Sequence, residues 1–202
     1  MKKSKLGILA LGMMCCIVFS CEKNREVAPE KIEEVQKRSE KNTEKKVQTN
    51  IDNDLILKLV NEVRAKGCDC TNKETNQIDK MPPVAALTWN ENLAETAKAH
   101  SNDMSVKNYF SHTTPSGIGF GQRISDNGYS YTTAAENIAM GQKTEREVVL
   151  GWLGSYGHCK NIMLGTVKEM GVARSDGHGF YWTQLFGTQK YVIANKLHSV
   201  ND

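Results

Sequence analysis

The 202-residue chain predicts a layered α+β domain from about Ile51 onward. Three observations carry that expectation. Apolar residues recur at helical spacing in four separate segments, two of those segments open on a Thr-x-x-Glu capping box, and two stretches of period-two patterning flank a Gly-rich turn near the C-terminal end.

Taken in order, Ile56, Leu59, Val60 and Val63 share one face of a first helix, which stops at Gly67, a residue that accepts a left-handed cap without strain. Thr88-Trp89-Asn90-Glu91 has the form of a capping box, after which Leu93, Ala97 and Met104 line one side of a second helix. Phe120 to Asn127 reads as a short third helix closed by Gly128. Thr144-Glu145-Arg146-Glu147 is another capping box, and Val148, Val149, Trp152 and Leu153 form the apolar side of a fourth helix ending near Tyr156-Gly157. The strands come last. KEMGVARS and FYWTQLFG flank Asp176-Gly177-His178-Gly179, a turn suited to a β-hairpin. In the second of them Phe180, Trp182, Gln184 and Phe186 alternate with Tyr181, Thr183 and Leu185, so both faces are apolar and both should be covered. Helices followed by antiparallel strands with covered faces is the pattern of a layered α+β fold.

The residues before Ile51 have a different character. Met1 to Lys5 is a basic segment and Leu6 to Phe19 an apolar run too short for a comfortable membrane span, together the form of a secretory signal over residues 1–20. It ends Val18-Phe19-Ser20-Cys21, which resembles the lipobox of bacterial lipoproteins, where cleavage precedes the cysteine that takes the lipid. The resemblance implies lipidation at Cys21 and a membrane anchor, with palmitate among the acyl chains. Residues 21–50 then hold the lipidated Cys21 and a tether rich in Lys, Glu, Asn, Gln and Thr, too poor in apolar groups to pack. A flexible chain of that length spans roughly 30 Å root-mean-square. Net charge is +3 with both signs interleaved, which leaves no electrostatic footprint for nucleic acid.

Four motifs in order, NYFSHTTPSG from Asn108, AAENIAMG from Ala134, GWLGSYGHCKNIM from Gly151 and YWTQLFG from Tyr181, resemble the CAP superfamily of cysteine-rich secretory proteins, antigen 5 and plant pathogenesis-related proteins of class 1. The chain is most similar to the bacterial, SCP-like extracellular branch, over about Leu55 to Gly187, which assigns residues 51–202 to a CAP domain. The resemblance implies a three-layer α–β–α sandwich with an open cleft on one side, in a monomer held in the extracytoplasmic cell envelope.

It also implies candidate site residues. In eukaryotic members the cleft carries two His and two Glu, and some bind zinc through the histidines. His112 matches the first His and Glu136 the Glu of the GENIA-like segment. The second Glu, three residues beyond a Trp, is replaced by Ser155 after Trp152, and the second His, before a YTQ-like segment, is replaced by Tyr181. In bacterial relatives a SPGH-like segment supplies a nearby His, here His158 in Ser155-Tyr156-Gly157-His158. The expected cleft set is therefore His112, Glu136, His158, Tyr181 and Gln184, with His112 and His158 as candidate zinc ligands; no cofactor is required. A carboxylate beside an imidazole fixes its tautomer, which is why this combination points to chemistry. His100 reads as a structural residue of the second helix, Asn137 and Asn161 as either cleft hydrogen-bonders or buried amides that brace loops, and His178 as a solvent-facing turn residue.

Cys15 and Cys16 leave with the signal and Cys21 is assigned to lipid, which leaves Cys68, Cys70 and Cys159. Outside the cytoplasm a disulfide from Cys159 to Cys68 or Cys70 is expected, with one thiol over. A metal site from the three cysteines and a neighbouring His is an alternative, although C-x-C is not the usual zinc-knuckle spacing. Three readings of function remain open. One is a non-enzymatic module whose cleft binds a lipid, a peptide or an envelope component. Another is a metal- or base-assisted, peptidase-like hydrolase in which His112 or Glu136 activates water. The third is a structural envelope protein.

Overall fold

The structure is a computed structural model and describes residues 46–175, 177 and 179–190. The signal segment, Cys21 and most of the tether lie outside the described residues, as do Asp176 and His178. Among the described residues no helix is long and apolar enough to cross a membrane.

Helix α1 (Asn53–Lys66) starts where the Asp52 carboxylate accepts the Leu55 amide at 2.9 Å, and stops at Gly67, whose φ of +74° a side chain would strain. Strands β1 (Cys68–Asn72) and β2 (Gln77–Met81) form a separate antiparallel hairpin, which the sequence reading left unassigned. Strand β3 (Thr88–Trp89) is short and occupies the first half of the expected capping box. The cap of α2 (Glu91–Lys107) is instead Asn90, whose side chain accepts the Leu93 amide at 3.1 Å. Helix α3 (Phe120–Asp126) and strand β4 (Tyr131–Met140) follow. Thr144 caps α4 (Glu145–Leu153) through the Glu147 amide, as its capping box predicts. That helix ends at Leu153 rather than near Gly157, because a new helix, α5 (Tyr156–Ile162), begins there after Ser155. Strands β5 (Glu169–Arg174) and β6 (Tyr181–Gln189) form the expected antiparallel pair.

The main sheet runs β3-β5-β6-β4, antiparallel except where β3 joins β5. Side-chain alternation sends β6 to two different layers. Trp182 and Phe186 face a cluster with Ile56, Val60, Val148, Trp152 and Ile162 of α1, α4 and α5. Leu185 and Tyr181 face the opposite side, where Leu93, Ala97 and Met104 of α2 and Ile124 of α3 pack. The result is an α–β–α sandwich, with β6 buried along nearly its whole length because both its faces are covered. Helix α2 lies so close to the sheet that a Cβ at Gly171 would fall on the Ala94 backbone.

Strand β4 forms the border of the sheet, and two of its outward carbonyls are held by side chains. Asn161 Nδ2 donates to the Glu136 carbonyl at 3.1 Å and Trp152 Nε1 to that of Ile138 at 3.2 Å. Residues assigned to the tether also pack, against β5 and α2: Thr49 is buried, its carbonyl accepts the Arg174 amide at 3.0 Å, and the Val47 amide donates to Glu91 at 2.9 Å. The packed domain thus begins a few residues before Ile51.

Candidate functional site

The stretch that carries His112 is aimed by the end of α2. Asn108 adopts φ +53°, a left-handed turn that Asn tolerates, and redirects the chain across the top of the helix. Tyr109 is tied back by its hydroxyl to Asp103 at 2.6 Å, and His100, buried within α2, meets the Ser111 carbonyl through Nε2 at 3.0 Å. Beyond His112 the chain closes on itself, with Thr113 bridging Gly119 and the Thr114 amide donating to the Ile118 carbonyl.

His112 meets Glu136 of β4, its Nδ1 lying 2.8 Å from Oε1. The other carboxylate oxygen accepts Arg123 Nη2 at 2.6 Å. Arg123, in α3, also donates through Nη1 to the carbonyls of His112 and Ile118, at 2.9 and 3.0 Å, so one guanidinium pins both ends of the loop and the carboxylate behind it. The Glu136 side chain is 1% exposed and that of Arg123 11%, whereas His112 is 49% exposed. An ionised carboxylate only accepts, so Nδ1 of His112 carries the hydrogen and Nε2 is left as the lone-pair nitrogen of the neutral ring.

Of the other expected cleft residues, His158 lies half-buried at the start of α5, close enough that His112 bears on it whenever that ring carries a charge. Burial first, and then that neighbouring charge, lower its pKa from the ordinary imidazole value. His100 is also lowered, chiefly by burial, which keeps it a neutral brace. Tyr181 is on the same sheet face as Glu136 but packs into the core with Met104 and Ile138, its ring 6.4 Å from that of Phe110.

Gln184 requires a correction. It pairs with Asn137 across β4 and β6, one residue out of phase with Glu136, and therefore points to the opposite face of the sheet. There it is fully buried, accepting Asn137 Nδ2 at 2.9 Å, while Asn137 also reaches the His158 carbonyl and receives Asn161. These amides brace α5 against β4. Arg123 is the central site residue that the sequence reading missed. Its partner is a strand residue 13 positions away, and no local pattern marks it.

The donor set does not fit a zinc centre. Catalytic zinc takes three protein ligands and structural zinc four. His112 and His158 offer two imidazoles, and both Glu136 oxygens are engaged. The three cysteine sulfurs lie within 4.8 Å of one another, but Cys70 and Cys159 are bonded to each other as a disulfide and Cys68 stands free. The bridge thus takes one of the two pairings expected. Apart from zinc, the arrangement supplies a half-exposed imidazole of fixed tautomer, held by a carboxylate that has no free oxygen of its own.

Comparison with known proteins adds a family. The model described as CAP, the cysteine-rich secretory protein family, matches residues 57–186. The uncharacterized protein YkwD of Bacillus subtilis is 39% identical over 127 residues, covering 63% of this chain and 48% of that protein. The uncharacterized membrane protein YlbC of the same organism is 34% identical over 112 residues, 55% of this chain and 32% of that protein. The chain thus spans about half of one of these relatives and about a third of the other. An extracellular protein containing an SCP domain from Bacillus anthracis superposes with a TM-score of 0.54 at 29% identity, covering 67% of this chain and 40% of that one. An outer surface protein of Borrelia burgdorferi shares the fold at a TM-score of 0.53 and 22% identity, over 69% of this chain and 97% of that one.

Proposed function

The chain belongs to the cysteine-rich secretory protein (CAP) family, and from that premise we propose that it is an extracytoplasmic binding module, anchored by lipid at Cys21, whose contact group is the imidazole of His112. The observation that carries this reading is the state of Glu136. A general base has to come within hydrogen-bond reach of the proton it takes. Both Glu136 oxygens are engaged, by His112 and Arg123, and the side chain is sealed from solvent. Such a carboxylate orients its neighbour, and Nε2 of His112 is the atom turned toward a ligand, with His158 beside it. The extracellular description of the Bacillus anthracis neighbour supports an extracytoplasmic location.

The proposed ligand classes are a lipid, a peptide or a cell-wall component. The test is co-sedimentation of the purified protein with isolated cell-wall sacculi and, separately, with phosphatidylethanolamine–phosphatidylglycerol vesicles. Binding to either should vanish in His112→Ala while the melting curve barely moves, because His112 is half-exposed. Equal binding by wild type and His112→Ala overturns the cleft as the contact. A hydrolase reading draws on the same His–Glu pair, which could make His112 a base toward water. It requires soluble fragments to appear from the sacculi and that release to fall in Glu136→Gln. Metabolic labelling with palmitate, lost in Cys21→Ser, tests the anchor. Zinc titration should show no tight uptake, given a two-imidazole donor set.

A further inference from the structure

The disulfide and the spare thiol occupy one place. Cys68 and Cys70 are two apart on β1, so their side chains leave the same face of the strand toward Cys159 of α5. Cys70 and Cys159 are joined, and the free Cys68 sulfur stands 3.7 Å from that of Cys159, nearly in contact. Cys70 and Cys159 are 0% and 1% exposed, whereas Cys68 is partly open to solvent. It borders an apolar cavity of about 260 Å³ between α1 and α4, with Leu59, Val63, Val149 and Leu153 among its walls.

We infer that Cys68, Cys70 and Cys159 form a thiol–disulfide exchange site, in which Cys68 attacks the Cys159 sulfur and displaces Cys70. The step balances without an outside oxidant or reductant. The Cys68 thiol first loses its proton to water. Its sulfur then forms a bond to Cys159, the Cys70–Cys159 bond breaks, and Cys70 leaves as a thiolate that takes up a proton. One disulfide and one thiol stand on each side. A partly open thiol beside a sealed disulfide also gives the set its direction of access, since Cys68 is the sulfur that solvent reaches. Cys159 directly follows His158, so the partner that holds Cys159 also sets where the first turn of α5 is anchored.

The groups around the attacking sulfur make exchange slow at neutral pH. Burial, and then the adjacent Asp69 carboxylate, push the Cys68 thiol above its ordinary value. Glu62 and Lys66 of α1 and Arg146 of α4 line the same cavity, and Lys160 of α5 is tied to Asp79 of β2. Below the thiol pKa the thiolate fraction, and with it the exchange rate, rises about tenfold per pH unit.

The test uses the oxidised full chain with Cys15, Cys16 and Cys21 replaced by serine, so that Cys68, Cys70 and Cys159 are its three cysteines. In Cys70→Ser the bridge should re-form as Cys68–Cys159, leaving no free thiol by Ellman titration in a protein of native circular dichroism. Two free thiols in that folded variant overturn the inference. Should Cys70→Ser fail to fold, the wild type decides. It is held at mildly alkaline pH, quenched in acid, unfolded, alkylated with N-ethylmaleimide under acid and mapped by peptide mass spectrometry. A Cys68–Cys159 peptide that accumulates faster at higher pH supports exchange, and its absence at every pH overturns it.

Discussion

Replacing Glu136 with Leu should unfold the site far more than its polar surroundings would suggest, and replacing Arg123 at the same time should restore much of the loss. The two side chains are 1% and 11% exposed and meet at 2.6 Å, so the pair is desolvated, and removing one partner leaves the other charge buried. Such a loss costs about 3–5 kcal/mol, whereas exchanging both partners for apolar groups of similar volume is often neutral. For a domain of this size a change of that order lowers the melting temperature by roughly 6–20 °C, at about 2–4 °C per kcal/mol. The assay is a double-mutant cycle of Glu136→Leu, Arg123→Met and the combination, by urea unfolding. Coupling of at least about 3 kcal/mol is expected, the top of the range found for side chains in direct contact, because each single change leaves a buried charge that the double change removes. Nitrogen-15 spectra of His112 supply a second readout, because loss of the carboxylate should move the hydrogen from Nδ1 toward Nε2. Additive single effects, within about 0.5 kcal/mol, together with an unchanged tautomer would refute the claim that the carboxylate orients the imidazole.

Cys159→Ser breaks a bridge that spans 89 residues and should cost about 2–5 kcal/mol, seen as a lower urea midpoint than in Cys68→Ser, which keeps the bridge. Gly171→Ala places a methyl against the Ala94 backbone and should destabilise by about 1–3 kcal/mol, since α2 has to lift from the sheet. His100 and His158 both have folded pKa values below the ordinary 6.5, for which burial is the first cause. Their neutral forms therefore contribute stability that is present above pH 6.5 and lost as pH falls through the folded values. Urea midpoints should decline on acidification from that pH, and His100→Gln should flatten the decline.

What the sequence disclosed and what it withheld divide along the range of the interactions. The capping box at Thr144 and the alternation in β6 are local patterns, and both appear in the fold as read. Thr88-Trp89-Asn90-Glu91 satisfies the same capping template, yet Thr88 and Trp89 pair with β5 and Asn90 caps the helix, because a parallel strand about 80 residues away outweighs the local motif. The meeting of His112 with Glu136 followed from family motifs. Arg123 did not, since an arginine in a short helix has no pattern that names a partner on a later strand. The placing of Gln184 failed for a related reason: alternation fixes which β6 residues share a face, but not which face looks toward His112. Only the register with β4 decides that.

The side chains of Asn161 and Trp152 that cover the outer carbonyls of β4 bear on how any partner is read. Many domains recognise extended peptides by letting them join the sheet as one more strand, drawing affinity from backbone contacts that are indifferent to sequence. At Glu136 and Ile138 that route is closed by the protein's own indole and amide, and the opposite margin of the sheet, β3, is two residues long. A guest at this stretch of β4 therefore has to be chosen by side-chain chemistry, which makes its preferences sensitive to single substitutions, and the same two caps hinder a second copy of the sheet from pairing there.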